Sequence, residues 1–165
     1  TYPYARHYGL GRDSINYIRN SVKITIDAYD GTMHFYVADP NDPIVRAYEG
    51  VFPTMFEPLS AMPADLVAHL RVPEELFNVQ TRVFGRYHVT DTQQFFRKDD
   101  LWTVPQGTSS EQTLPSEAYY VEMHLPGETG LEFLLLQPMV PTGRPNMIAW
   151  VAARNDGAAY GSNQV

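Results

Sequence analysis

The turn Asp39-Pro40-Asn41-Asp42, with Asp27 and Asp30 a short way before it, gathers carboxylate and amide oxygens of the kind that ligate calcium. Its spacing is not that of an EF-hand loop. Asp and Asn also cap helices and close turns, because their short side chains accept bonds from nearby backbone N–H groups. That mechanical role accounts for these residues, and no metal is expected. The histidines His7, His34, His69, His88 and His124 form no His-x-x-x-His or His-Glu-x-x-His pattern, so no helical face carries two imidazoles for zinc. His69 and His88 fall near expected helix C-termini, where an imidazolium complements the helix dipole. Glu74, Glu75, Asp99, Asp100, Glu128 and Glu132 could pair in space as glycosidase acids, but any acidic domain offers such pairs.

Nucleophile and nucleotide motifs are missing. There is no Gly-x-Ser-x-Gly elbow and no phosphate-binding Gly-x-x-x-x-Gly-Lys loop, and Gly9-Leu10-Gly11 lacks both a preceding strand and a third glycine. The chain has no cysteine, which removes disulfides, thiolate zinc sites and thiol nucleophiles, and which fits an oxidising compartment. No cofactor is expected. The best candidate for a binding surface is the N-terminal segment, where Tyr4, Tyr8 and Tyr17 interleave with Arg6, His7, Arg12 and Arg19. Such a mixture could stack a sugar ring or hold a carboxylate or phosphate. The same residues could instead pack over a sheet edge or against further segments of a longer protein.

Composition narrows the partners. The 165 residues carry a net charge of −7, and the basic residues are scattered arginines with only Lys23 and Lys98 as lysines. Nucleic acid is disfavoured as a partner, because phosphate neutralisation needs clustered positive charge, and the same deficit argues against docking on anionic lipid. With 44% hydrophobic and 19% charged residues, the chain can bury one ordinary core, rich in Tyr and Phe. A single soluble domain over 1–165 is the expectation. The longest apolar stretch, 131–140, contains Glu132, Gln137 and Pro138 and is well short of the roughly 20 apolar residues that span a bilayer, so direct membrane insertion is not expected.

The elements follow from periodicity and punctuation. Two period-2 runs over 22–37 flank Asp30-Gly31, which predicts a hairpin closed by a two-residue type I′ turn. In that register Asp27 lies opposite His34, and Val22, Ile24, Ile26, Ala28, Met33, Phe35 and Val37 form a core face. Asp42 is placed to cap a helix starting at Pro43, with Ile44, Ala47, Tyr48 and Val51 at helical spacing. Pro63 opens a short helix. Pro73 opens a longer one with an apolar stripe of Leu76, Val79, Val83 and Tyr87 expected to pack on the sheet. Thr90 and Gln93 read as a capping box for a helix containing Phe95 and Phe96. The polar stretch 106–115 reads as a mobile loop, and 118–125, 131–137 and 147–153 as strands. Asp100-Leu101-Trp102 and Trp150 are expected core anchors. The order implies an α+β fold with a mostly antiparallel sheet of about five strands and three or four helices packed mainly on one face.

The run from Asn16 to Gly31 resembles the UPF0182 family of large, uncharacterised bacterial multi-pass membrane proteins. The likeness continues through Asp42-Pro43-Ile44, Met62-Pro63-Ala64-Asp65-Leu66, His69-Leu70-Arg71, Pro73-Glu74-Glu75-Leu76-Phe77, Gln80, Tyr87-His88 and Asp100-Leu101-Trp102. The resemblance implies a fragment from the soluble region of a parent whose earlier part spans the membrane. It implies no reaction, cofactor or catalytic residue. The reading it favours is a non-catalytic, extracytoplasmic interaction or scaffolding portion whose partners are the remaining segments of the parent chain or an envelope component. The alternative is an enzyme acting on an envelope polymer or lipid, with acidic residues and His34, His69 or His88 as acid-base groups.

Overall fold

The computed structural model describes residues 8–10, 13–15, 17–108, 113–156, 160–161 and 163–164, with side chains at 17–106, 116–156 and 160–161. In chain order the elements are β1 (Tyr8–Leu10), β2 (Asp13–Ile15), β3 (Val22–Ile26), β4 (Met33–Val37), α1 (Pro43–Val51), β5 (Phe56–Pro58), a 3-10 turn (Leu59–Ala61), α2 (Ala64–Val67), α3 (Glu74–Tyr87) and α4 (Thr92–Arg97). They continue with β6 (Trp102–Thr103), β7 (Gln106–Thr108), β8 (Thr113–Pro115), β9 (Tyr119–His124), β10 (Leu131–Pro141), β11 (Ala149–Arg154) and β12 (Asn163–Gln164). The class is α+β, and the sheets are mostly antiparallel. The length suggests a single domain; the structure has two compact units, one from Ile15–Leu70 and one from Arg71–Val165 with Tyr8–Ser14.

In the first unit β3 and β4 pair antiparallel, and β5 joins β4 in parallel with Phe56 beside Phe35. The register corrects the sequence expectation: Thr25, not Asp27, lies opposite His34. The reversal occupies residues 28–31, closed by Asp27 N donating to Thr32 O at 2.9 Å and Gly31 N to Asp27 O at 3.0 Å. Asp27 is the cause. Its Oδ1 accepts from Tyr29 N at 2.7 Å and Asp30 N at 3.3 Å, an Asx turn that begins the reversal early. Only Gly31 has a positive φ, 75°, whereas a type I′ turn needs two such residues. Because the shift is by two positions, each side chain keeps its face. The face expected to be core is nevertheless open at the turn end, with Ile24, Ile26 and Met33 exposed, Val22 and Phe35 half-buried and Val37 buried at its far end.

Helix α1 begins where expected, with Asp42 as N-cap and Pro43 at the first position. Its orientation is the surprise. Ile44, Tyr48 and Val51, the apolar stripe, are exposed, and Val45 is the buried residue.

The second unit is built on a five-stranded sheet in which β10 pairs with β9, β11 and β6, and β12 extends β11. β10 runs through Pro138 because its ladder with β9 ends at Leu136 and that with β6 starts at Val140, so the missing N–H breaks no pairing on that edge. Leu135 and Met139 of β10 pack with Phe77 of α3, Val72, Val151 and Ala153. On the opposite face Leu134, Ala152 and Leu125 form a smaller cluster with Trp150.

Three local expectations change in this unit. The buried side of α3 holds Phe77, Val79, Thr81 and Gly85; of the expected stripe Val79 is buried and Leu76 half-buried, while Val83 and Tyr87 are exposed. Gly85 sets this orientation: an added Cβ would lie 2.6 Å from Trp102 O and 2.9 Å from Met139 Cε, so the helix meets β6 backbone at a point that admits no side chain. The cap of α4 is Asp91, whose carboxylate accepts from Gln94 N at 2.8 Å, one residue later than the Thr90 box. Within 106–115, read as a loop, β7 and β8 pair antiparallel.

Candidate binding site

Of the N-terminal candidates, Tyr4, Arg6, His7 and Arg12 lie outside the described residues, and Tyr8 is described only as backbone in β1. The structure does bring Tyr17 and Arg19 together, with the guanidinium carbon 5.8 Å from the ring centroid. Tyr17 is committed inward, donating its phenol to Asp42 Oδ2 at 2.6 Å, and this bond raises the phenol above its ordinary pKa.

The carboxylates of the acidic turns serve their own backbone. Asp39 Oδ1 accepts from Asn41 N at 3.0 Å and Asp30 Oδ1 from Thr32 N at 2.9 Å. Asp42 Oδ1 accepts from Ile44 N at 2.8 Å and Val45 N at 3.3 Å, and its Oδ2 from Tyr17 and Ser21. Among the described residues no three His, Cys, Asp or Glu side chains converge as a metal site.

The titratable groups considered for acid-base work are likewise engaged. His34 Nδ1 meets Glu57 Oε1 at 2.8 Å on an exposed sheet face. His69 Nδ1 lies 2.7 Å from the Asp65 carbonyl oxygen. Glu128 and Glu132 do converge, but on Arg154, at 3.0 and 2.8 Å. His88 is the nearest approach to a catalytic dyad, with Nε2 3.7 Å from Asp100 Oδ2 and Nδ1 3.1 Å from the Phe84 carbonyl oxygen. Its ring lies tilted against Trp102 with centroids 3.9 Å apart, and Nε2 is buried.

A concave surface among the described residues of the second unit lies elsewhere. A cleft of about 260 Å³ opens between the last turn of α3, helix α4 and residues 98–101. Arg86 and Lys98 supply cations, Tyr87, Phe95 and Phe96 supply rings, and Asp100 supplies a carboxylate turned to Trp102 Nε1 at 3.0 Å. Tyr87 stacks on Phe95 with centroids 5.7 Å apart, and Phe96 meets Phe95 edge-on at 6.1 Å. A second groove, about 490 Å³, runs past Arg86 along Arg82, Trp102, Val104 and Met139. Sequence reading missed this cleft because it took Tyr87 as core. The available signal was Lys98, which stands at the helix C-terminal position where glycine is usual.

Together these features define an α+β module with a cationic, aromatic cleft and exposed apolar faces. The sequence model of the uncharacterised protein family UPF0182 matches residues 1–165, and the chain belongs to that family. It is 47% identical over 98% of its length to a UPF0182 protein of Prochlorococcus marinus strain MIT 9303. A UPF0182 protein of Desulforamulus reducens is 47% identical over 97% of the chain, and one of Salinibacter ruber 48% over 92%. The chain spans only 17%, 17% and 16% of these relatives. No solved structure matches it.

Proposed function

We propose that the chain is a non-catalytic docking portion of a longer UPF0182 protein, held on the extracytoplasmic side of a membrane-embedded parent. The observation that carries this reading is the outward apolar stripe of α1, where Ile44, Tyr48 and Val51 stand in solvent while the helix buries Val45. An amphipathic helix normally turns such a stripe inward. In the same unit the hairpin presents Ile24, Ile26 and Met33 on one open face. The occupant is the rest of the protein: the relatives are several times longer than this chain, so most of their sequence is available to cover these residues.

The chain has no cysteine, so single cysteines report cleanly. Ile26→Cys and Val51→Cys label rapidly with maleimide in the isolated chain and at least about tenfold more slowly in the longer protein, as expected for burial at an interface. Equal rates in both refute docking. The side of the membrane is read at the hairpin tip, where Tyr29 is fully exposed. Tyr29→Cys in the longer protein reacts with an impermeant maleimide on intact cells; labelling only after lysis overturns the extracytoplasmic placement.

A further inference from the structure

We propose that the α3–α4 cleft binds a small anion carried on an aromatic ring, an aryl phosphate or aryl carboxylate. Its two cations, both exposed at the cleft mouth, are uncommitted within the protein: neither the Arg86 guanidinium nor the Lys98 ammonium makes a hydrogen bond or ion pair with the described residues. In a chain of net charge −7 such a pair faces a cavity rather than one of the many available carboxylates. The one carboxylate on the wall, Asp100, receives the Trp102 indole N–H at 3.0 Å and has His88 Nε2 at 3.7 Å from its second oxygen. Arg86 suits two oxygens of a phosphate or carboxylate through its planar fork, and Lys98 adds a point charge.

The body of the ligand is set by size and by the rings. A cavity of about 150 Å³ holds one benzene. The cleft, about 260 Å³, therefore has room for one ring and an anionic substituent. Tyr87 and Phe95, already stacked on one another, offer aromatic surface on which a flat ring packs by offset or edge contact.

The backbone provides an independent sign. Lys98 has φ 60°, the sole non-glycine positive φ among the described residues. It ends α4 in the left-handed region, with its N–H bonded to Gln94 O and Phe95 O. A side chain in that conformation costs about 1 kcal/mol that glycine would avoid. The strain is explained if the ammonium is needed in the cleft it lines.

The test is titration of the intact chain with phenyl phosphate and with benzoate, followed by calorimetry and by backbone NMR shifts. Inorganic phosphate and neutral benzyl alcohol serve as controls. Saturable binding of phenyl phosphate or benzoate, with shifts centred on 86–101 and weaker binding of both controls, supports the site and tells which anion it prefers. Arg86→Gln and Lys98→Gly each weaken that binding about tenfold, the scale of one charge-assisted hydrogen bond. Lys98→Gly relieves the left-handed strain, so its melting temperature is equal to or above that of the parent chain and lost binding cannot be ascribed to unfolding. No binding of either aryl anion, equal binding of benzyl alcohol, or unchanged affinity in both variants overturns the proposal.

Discussion

The Ser21 hydroxyl donates to Asp42 Oδ2 at 2.7 Å in a buried position, on the same oxygen that receives the Tyr17 phenol at 2.6 Å. The other oxygen caps α1 through Ile44 N and Val45 N. One carboxylate thus ties the approach to β3 to the start of the helix. Burial alone pushes its pKa up, but the bonds from Tyr17, Ser21, Ile44 N and Val45 N outweigh it and hold the group at about 2, below the ordinary 3.8. A depressed folded pKa stabilises the protein above the unfolded value and is lost as pH falls through the folded one. Stability attributable to Asp42 is therefore complete above pH 3.8 and lost on descending towards pH 2. Asp42→Asn keeps a capping acceptor and flattens that acid limb, which urea titrations at a series of pH values measure. Asp42→Ala costs about 2 kcal/mol at neutral pH by removing the cap and stranding buried donors.

Gly85 reverses a usual rule. In an exposed helix interior Gly→Ala gains about 1 kcal/mol. Here the new methyl would meet Trp102 O at 2.6 Å, a backbone atom that cannot turn aside, and Met139 Cε at 2.9 Å, which can. Overpacking costs about 1–3 kcal/mol, so Gly85→Ala lowers the denaturant midpoint despite its better propensity. A raised midpoint would show that α3 can move away from β6.

Much of this fold is legible in the sequence, and the misses share a cause. Asp42-Pro43 announces a helix start because capping and the fixed proline φ are local effects. The strands β9, β10 and β11 fall where alternation and turn residues place them. The hairpin register was missed because Asp27 competes for the turn with its side chain. The face of α1 and the C-terminal half of the α3 stripe differ from the sequence reading because periodicity shows which residues share a stripe and not which way it turns. For α3 that depends on Gly85 meeting β6, a contact distant in sequence. The cleft was barely legible for the same reason: apart from Lys98, which stands where glycine is usual, its residues are unremarkable until α4 folds back beside α3. Of the N-terminal set, the described pair Tyr17 and Arg19 does meet, although Tyr17 bonds Asp42.

The open faces of the first unit predict tolerance. Ile26 is 64% exposed and Val51 67%, so each has little apolar contact to lose. Ile26→Lys and Val51→Lys leave the stability of the isolated chain within about 0.5 kcal/mol, the range for surface positions. Chemical denaturation measures this directly. A loss above about 2 kcal/mol would mean that these side chains are packed in the chain itself.

Asn155 joins the segment before α3 to the sheet. Its Oδ1 accepts from Val72 N at 2.8 Å, its own N–H bonds Phe133 O at 2.9 Å, and the side chain is buried. The Val72 carbonyl is held separately by the Tyr120 phenol at 3.2 Å. Asn155→Ala strands the Val72 N–H in an apolar cluster and costs about 1–3 kcal/mol, the penalty for a buried donor without a partner. Tyr120→Phe costs less, about 1 kcal/mol, the net worth of one neutral hydrogen bond from a part-buried phenol. Denaturant midpoints of the two single variants rank them, and amide hydrogen exchange at Val72 localises the effect: Asn155→Ala speeds exchange there well beyond its effect on the rest of the sheet, while Tyr120→Phe does not.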